Sequence, residues 1–311
     1  MIQAIKDELF RAWVFKKTYR NWASLLIQIW SGKERVFAVL KDGHAMILNR
    51  FVAMALPGYY LYKGVPEHAE EIVASNPVEA ALKLYGWNFD GDVLYKDFGG
   101  KRVKFLAQYG GEPAYQISIM EIFDMGIYDV NVSGKDVVDI GTGIGDSTIY
   151  FSLKGANRVV GVEPLPKVYN VARVNISLNA DYVHNISIMN GAIAYNVKDV
   201  SVPDVPILYS GSVRVKNEVV ERVKVPAYTV KHLAEVVNRD VIKIDCEGCE
   251  REIFKHEQDI IGEFDVIIME LHGRWRLKFD KLLSSFREKY KYEATTVVKG
   301  LDEVFVMKKK K

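Results

Sequence analysis

Four side chains able to move a proton fall in two short runs of this 311-residue sequence. Asp245 and Glu247 follow the apolar run Val241-Ile-Lys-Ile244, and Glu270 and His272 close a run that begins at Asp265. A carboxylate or imidazole at the end of a buried strand can serve as a general base. A second pattern supplies a place for a ligand. Val137, Val138 and Ile140 suit a strand buried on both faces, and Gly141, Gly143 and Gly145 follow, then a helix-like stretch from Ser147 to Leu153. Such glycines let the backbone turn sharply and approach a ligand closely. Arg158-Val-Val-Gly-Val-Glu163 then ends a second strand in an acid, about 20 residues after the glycines, where a ribose-binding carboxylate belongs. A carboxylate offers two acceptors to the two hydroxyls of a ribose. Together these features predict a nucleotide-binding crevice. The dinucleotide fingerprint needs its last glycine where this chain has Asp146, which argues against a nicotinamide or flavin cofactor.

The elements that must position these residues alternate in kind. Strands at 137–140, 159–162, 186–189, 241–245 and 265–270 are interleaved with helices at 147–153, 168–178, 230–237 and from Cys249 to Lys255. This order predicts an α/β, Rossmann-like, mostly parallel doubly wound sheet. After a helix at 279–289, Ala294–Val298 and Glu303–Met307 would close it as an antiparallel pair. The stretch 193–230 interrupts the rhythm, and its alternating Ser212-Val-Arg-Val-Lys216 suggests an inserted hairpin or loop beside the crevice.

Ahead of the core, residues 1 to about 30 read as amphipathic helices broken near Thr18–Asn21, suited to packing on the rest of the chain or to lying on a membrane surface. Two hairpins (35–48 and 92–106) and helices at 67–74 and 77–85 follow, the last capped by Asn76. The reading is a smaller mixed α+β N-terminal accessory region, 1–115, and a core domain, 116–311. Half the residues are hydrophobic and the net charge is +2. A sizeable core is expected, and charge alone gives no case for a nucleic-acid partner. No apolar run reaches membrane-spanning length, no signal-peptide core stands at the start, and the expectation is a cytoplasmic protein. Cys246 and Cys249 form C-x-x-C without a second Cys/His pair, so no zinc site is expected. They read first as small buried thiols, with a redox pair as the alternative.

Four stretches carry a family resemblance: Val138-Asp-Ile-Gly-Thr-Gly-Ile-Gly145, Val162-Glu-Pro-Leu-Pro166, Val225-Pro-Ala-Tyr-Thr-Val230 and Lys243-Ile-Asp-Cys-Glu-Gly-Cys-Glu250. Over roughly residues 115–308 the sequence resembles the FkbM-like S-adenosylmethionine (SAM)-dependent methyltransferases, which implies the class I SAM methyltransferase fold. By that resemblance Asp139 and the loop Gly141, Thr142, Gly143 and Gly145 hold the methionine end of SAM. Glu163 and Pro164 meet the ribose, and Asn190, Gly191 and Ala192 border the adenine. Asp245 and Glu247 face the transferred methyl, with Glu270 and His272 as further base candidates. Each also has a plainer role: Asp245 as a ligand of the cofactor's ammonium group, Glu247 and Glu250 as acids at a helix start, His272 as a substrate contact. A divalent metal on these residues is not required by their spacing. The resemblance implies O-methylation of a glycan or small molecule. RNA methylation is the alternative, since Val138 to Asn179, with Val174-Asn-Ile-Ser-Leu-Asn179, also resembles the core of archaeal tRNA guanine methyltransferases, which carry an Asn- or Asp-Pro-Pro-aromatic string where this chain has Asp245-Cys-Glu-Gly. A SAM-binding protein without turnover is the third reading.

Overall fold

In the computed structural model, placements are described for residues 12–64, 66–205, 207, 221–272, 276–298 and 302–310. The chain divides into two units, Met1–Asn88 and Phe89–Lys311.

In the first unit, helices over 12–18 and Trp22–Trp30 are separated where the sequence suggested a break. The hairpin Arg35–Val39/Ala45–Asn49 buries every second residue, Val36 and Ala38 on one strand and Met46 and Leu48 on the other. Leu25 and Ile29 of the second helix join that core, as do Val52 and Leu56 of helix Arg50–Lys63. This last helix contains Pro57 and Gly58, which hide it from a reading of periodicity. Asn76 Oδ1 accepts from Glu79 N at 2.9 Å and caps helix Pro77–Leu84. Residues 67–71 form turns and 72–74 have no regular structure, in place of the expected helix. Their polar groups are spent on the hairpin edge, with Glu70 Oε1 accepting from Ile47 N at 2.7 Å.

The second unit carries seven strands in one sheet: β1 (Asp136–Ile140), β2 (Arg158–Glu163), β3 (Ile186–Asn190), β4 (Val241–Ile244), β5 (Val266–His272), β6 (Tyr292–Val298) and β7 (Asp302–Lys309). Their spatial order is β3-β2-β1-β4-β5-β7-β6. The first five are mutually parallel, and β7 runs antiparallel to both β5 and β6. All of β1 and β4 is buried, as near-continuous apolar runs require. Five helices matter to the site: α1 (Ser118–Phe123), α2 (Asp146–Leu153), α3 (Pro166–Leu178), α4 (Val230–Ala234) and α5 (Glu250–His256). The order reverses between β1 and β4, the switch point where ligands bind in open α/β sheets.

Two smaller features flank this sheet. Strands Ala192–Ile193, Asp199–Pro203 and Arg222–Tyr228 form a three-stranded sheet within the predicted insertion. The strand expected at Ser212–Lys216 lies outside the described residues. The hairpin Val93–Phe98/Lys101–Leu106 falls in the second unit, although the sequence grouped it with the N-terminal region. Two side chains near the end of α3 explain this. Asn175 Oδ1 accepts from Leu106 N at 2.7 Å while its amide donates to Ile144 O at 2.8 Å. Asn179 accepts from Lys104 N at 3.0 Å and donates to Lys104 O at 2.7 Å. Both asparagines are fully buried. Removing one leaves half-buried backbone groups without their partners. Asn179→Ala is therefore expected to lower the unfolding free energy by about 1–3 kcal/mol, measured by urea denaturation.

Candidate active site

Beneath the crevice lies a buried ammonium. Lys243 in β4 stands opposite Asp139 in β1, and its Nζ is 3.1 Å from Asp139 Oδ1 and 3.6 Å from Asp245 Oδ2. It also donates to the carbonyl oxygens of Gly141 and, at 3.4 Å, Ile140. Asp139 has no exposed surface, and its Oδ2 accepts from Ser147 Oγ at 2.6 Å. Burial alone would pull the lysine down, but Asp139 and then Asp245 outweigh it and hold Lys243 above its ordinary value. Burial likewise pushes Asp139 up, against the pull of Lys243 and Ser147.

Asp245 is joined to Glu270 by a residue that sequence reasoning missed. The Tyr128 hydroxyl lies 2.9 Å from Asp245 Oδ2 and 2.9 Å from Glu270 Oε2. Its ring stacks on Phe151, and Lys243 Nζ stands 5.5 Å from the ring centroid. Burial, and then the two carboxylates, push this phenol well above its ordinary value, so it serves as a donor. Tyr128 belongs to no motif, and Lys243, though inside a quoted string, reads from sequence as a strand residue. Of the other base candidates, Glu247 is exposed at φ 54° in the loop after β4. His272 ends β5 in register with Asp302, and its side chain lies outside the described residues.

On the other side of β1, the glycine loop closes over Glu163. Gly141 has φ 78°, and a Cβ there would stand 1.8 Å from Asp245 O, so β1 and β4 could not come this close with any other residue. Gly145, φ 86°, packs against Ala172 of α3. Glu163 accepts from Gly143 N at 3.0 Å and from Leu165 N at 2.9 Å. Burial drives its carboxyl up to about 8 despite these two bonds. Asp146, where a dinucleotide loop would have glycine, is buried and raised to about 6, with Ser118 and the Ser147 amide as partners. Thr142 Oγ1 is buried without a hydrogen-bond partner. Asn190 donates to Glu163 O at 2.9 Å and Pro164 O at 3.3 Å, which commits its donor side to the end of β2. Gly191 is explained by packing, because a Cβ would lie 2.3 Å from the Tyr228 ring. Ala192 follows, half-buried. Gly141, Gly143, Asn190 and Asp245 are each partly exposed at the carboxyl ends of the strands.

The expectation for the two cysteines needs correction. Cys246 and Cys249 are joined in a disulfide, with Cα atoms 5.5 Å apart. Two apolar thiols and a bridged pair look alike in sequence. The loop's positive φ values at Glu247 and Gly248 bring the cysteines together.

A sheet ordered 3-2-1-4-5-7-6 with only its seventh strand antiparallel, a glycine loop after the first strand and an acid ending the second define the Rossmann-like class I methyltransferase fold. Residues 139–293 match the family model of the methyltransferase FkbM domain, and the chain carries that domain. Among solved structures, the chain is similar to the methyltransferase FkbM from Methylobacillus flagellatus KT (16% identity, TM-score 0.42, covering 61% of this chain and 47% of that one). It is also similar to a ribosomal protein L11 methylase from Lactobacillus delbrueckii subsp. bulgaricus (13%, 0.40, 65% and 83%). A third is M. jannaschii TYW2 in complex with AdoMet (17%, 0.38, 71% and 87%). No curated protein matches the chain. Among the described residues no helix is long and apolar enough to cross a membrane.

Two outcomes follow from this geometry. Gly141→Ala, which forces a side chain into the β4 backbone, is expected to cost about 3 kcal/mol of stability in a denaturant titration. For Glu163 the folded value, about 8, lies well above the ordinary value of a glutamate, so the folded protein keeps a proton that the unfolded chain has released. Its contribution is complete at low pH and is lost as pH rises through about 8. Without nucleotide, Glu163→Gln should therefore melt increasingly above the parent protein as pH goes from about 5 to about 9. Parallel melting curves would contradict the assignment.

Proposed function

We propose that the chain is a SAM-dependent methyltransferase that O-methylates a hydroxyl of a glycan or small molecule. The observation that carries this reading is the pairing, across one crevice, of two carboxylates in opposite surroundings. Glu163 is dry and backbone-bonded under the glycine loop, whereas Asp245 is partly exposed and held by Tyr128 and Lys243.

The residues fit the cofactor. Glu163 can accept from both ribose hydroxyls, and Asn190, Gly191 and Ala192 stand at the end of β3 to border the adenine. The partnerless Thr142 hydroxyl and the partly exposed backbone of Gly141 and Gly143 suit the amino-acid tail, with Asp139 supporting the loop from below. When bound, SAM supplies a methyl group already activated by its sulfonium. The protein's task is then to align an acceptor oxygen with that carbon and exclude water. Asp245 takes the acceptor's proton, and Tyr128 and Lys243 hold its carboxylate in place. Glu270 shares the Tyr128 hydroxyl, and Glu247 and His272, at the ends of β4 and β5, stay further candidates for the base. The acidic mouth suits a neutral hydroxyl better than a phosphate. The RNA reading lacks one support, because Asp245-Cys-Glu-Gly stands where the tRNA methyltransferases carry an Asn- or Asp-Pro-Pro-aromatic string that grips a base amine.

Calorimetry with SAM or S-adenosylhomocysteine tests the cofactor, and Glu163→Ala should weaken binding about tenfold or more. Methyl transfer to sugars, small hydroxylated compounds and RNA then separates the readings. Product on RNA alone would favour the alternative, and binding with no product on any class the third. With an acceptor in hand, Asp245→Asn should lower turnover about 10²–10⁴-fold and leave cofactor affinity close to that of the parent. Loss of affinity in parallel would make Asp245 the ligand of the ammonium group instead.

A further inference from the structure

We propose that the Cys246–Cys249 disulfide is a redox-modification site that sets cofactor affinity, with a cellular dithiol as its reductant. The inference rests on the crevice being the SAM site.

The bridge closes the loop between β4 and α5, at the edge of the site. Its first residue, Cys246, follows Asp245 directly, and Asp245 touches the glycine loop through its backbone. Asp245 N donates to Ile140 O at 3.1 Å, and Asp245 O occupies the space that a Gly141 side chain would need. The far end of the loop is anchored as well. Cys246 N donates to the buried Glu250 Oε1 at 3.1 Å, and both cysteines pack on the main core. Between these anchors Glu247 is held at φ 54° and Gly248 at φ 127°. The left-handed region is unfavourable for a residue with a side chain, and in this proposal the crosslink helps to keep Glu247 in it. A chain freed of the crosslink lets Glu247 return to ordinary backbone angles. The proposal is that this freedom reaches Asp245, two residues back, whose carbonyl stands against Gly141 and whose carboxylate meets Tyr128.

The chemistry balances as thiol–disulfide exchange. A thiolate of the dithiol attacks one sulfur, the Cys246–Cys249 S–S bond breaks, and a mixed disulfide forms. The second thiolate then closes the reductant's own disulfide. Two electrons and two protons pass to the protein as two thiols. The disulfide form is the tight-binding one.

The test uses the full chain and S-adenosylhomocysteine as the calorimetric probe, with alkylation and mass spectrometry to count free thiols. Binding to the oxidised protein should weaken about fivefold or more after dithiothreitol, in the usual range for coupled sites. Reoxidation should restore it. The double variant Cys246→Ser/Cys249→Ser should bind like the reduced protein and ignore dithiothreitol. Equal affinity of the oxidised and reduced proteins overturns the proposal, as do two thiols that stay open in an oxidising glutathione mixture. No binding by either form, in contrast, would sink the SAM reading itself.

Discussion

A single cation in a dry place organises the sheet around the crevice. An ammonium inside a sheet is costly unless opposite charge and further acceptors surround it. Lys243 has both: Asp139 beside it on β1, Asp245 at the end of its own strand, and two carbonyls at the turn out of β1. The register makes this inevitable once the strands pair, because Lys243 lies directly across from Asp139. Asp139 in turn lies across from Gly161, where a side chain would collide with Thr142. Charge, counter-charge and a gap thus sit side by side on three neighbouring strands. The turn of the glycine loop and the orientation of Asp245 both derive from that row.

This arrangement separates the two carboxylates that matter. Glu163 has lost water and gained only two backbone donors, so it holds its proton up to about 8. A ligand that brings hydroxyl donors adds what is missing. Asp245 keeps some contact with solvent and gains a phenol and a nearby ammonium. Chemically similar groups are therefore given opposite properties, the pairing on which the proposed roles of ribose acceptor and base rest, and the surroundings alone distinguish them.

The fold was largely legible because its strands are short, apolar and separated by glycine or acid, and their order followed from simple alternation. The glycine loop, Glu163 and Asp245 were readable for the same reason: strand ends are where such residues become visible. Tyr128 was not, since its partners are 117 and 142 residues away and no local pattern encodes that distance. Lys243 was hidden by the ordinary sequence logic that treats one lysine in an apolar run as an outward-facing residue. The helix Arg50–Lys63 was masked by Pro57 and Gly58, and the turns at 67–71 by a composition that suits a helix equally well. The disulfide depended on backbone angles that the letters C-E-G-C do not specify.

The paired amides on α3 also act as a ruler. Asn175 and Asn179 are one helical step of four residues apart, a rise of about 6 Å. They meet the N–H groups of Leu106 and Lys104, two strand residues apart, or about 6.6 Å. The two spacings match only in one phase, because a slip of a single residue would turn both N–H groups to the opposite side of the strand. The helix thereby dictates the phase of a hairpin far from it in sequence, and denies that outer strand to any second chain seeking an open edge to add to.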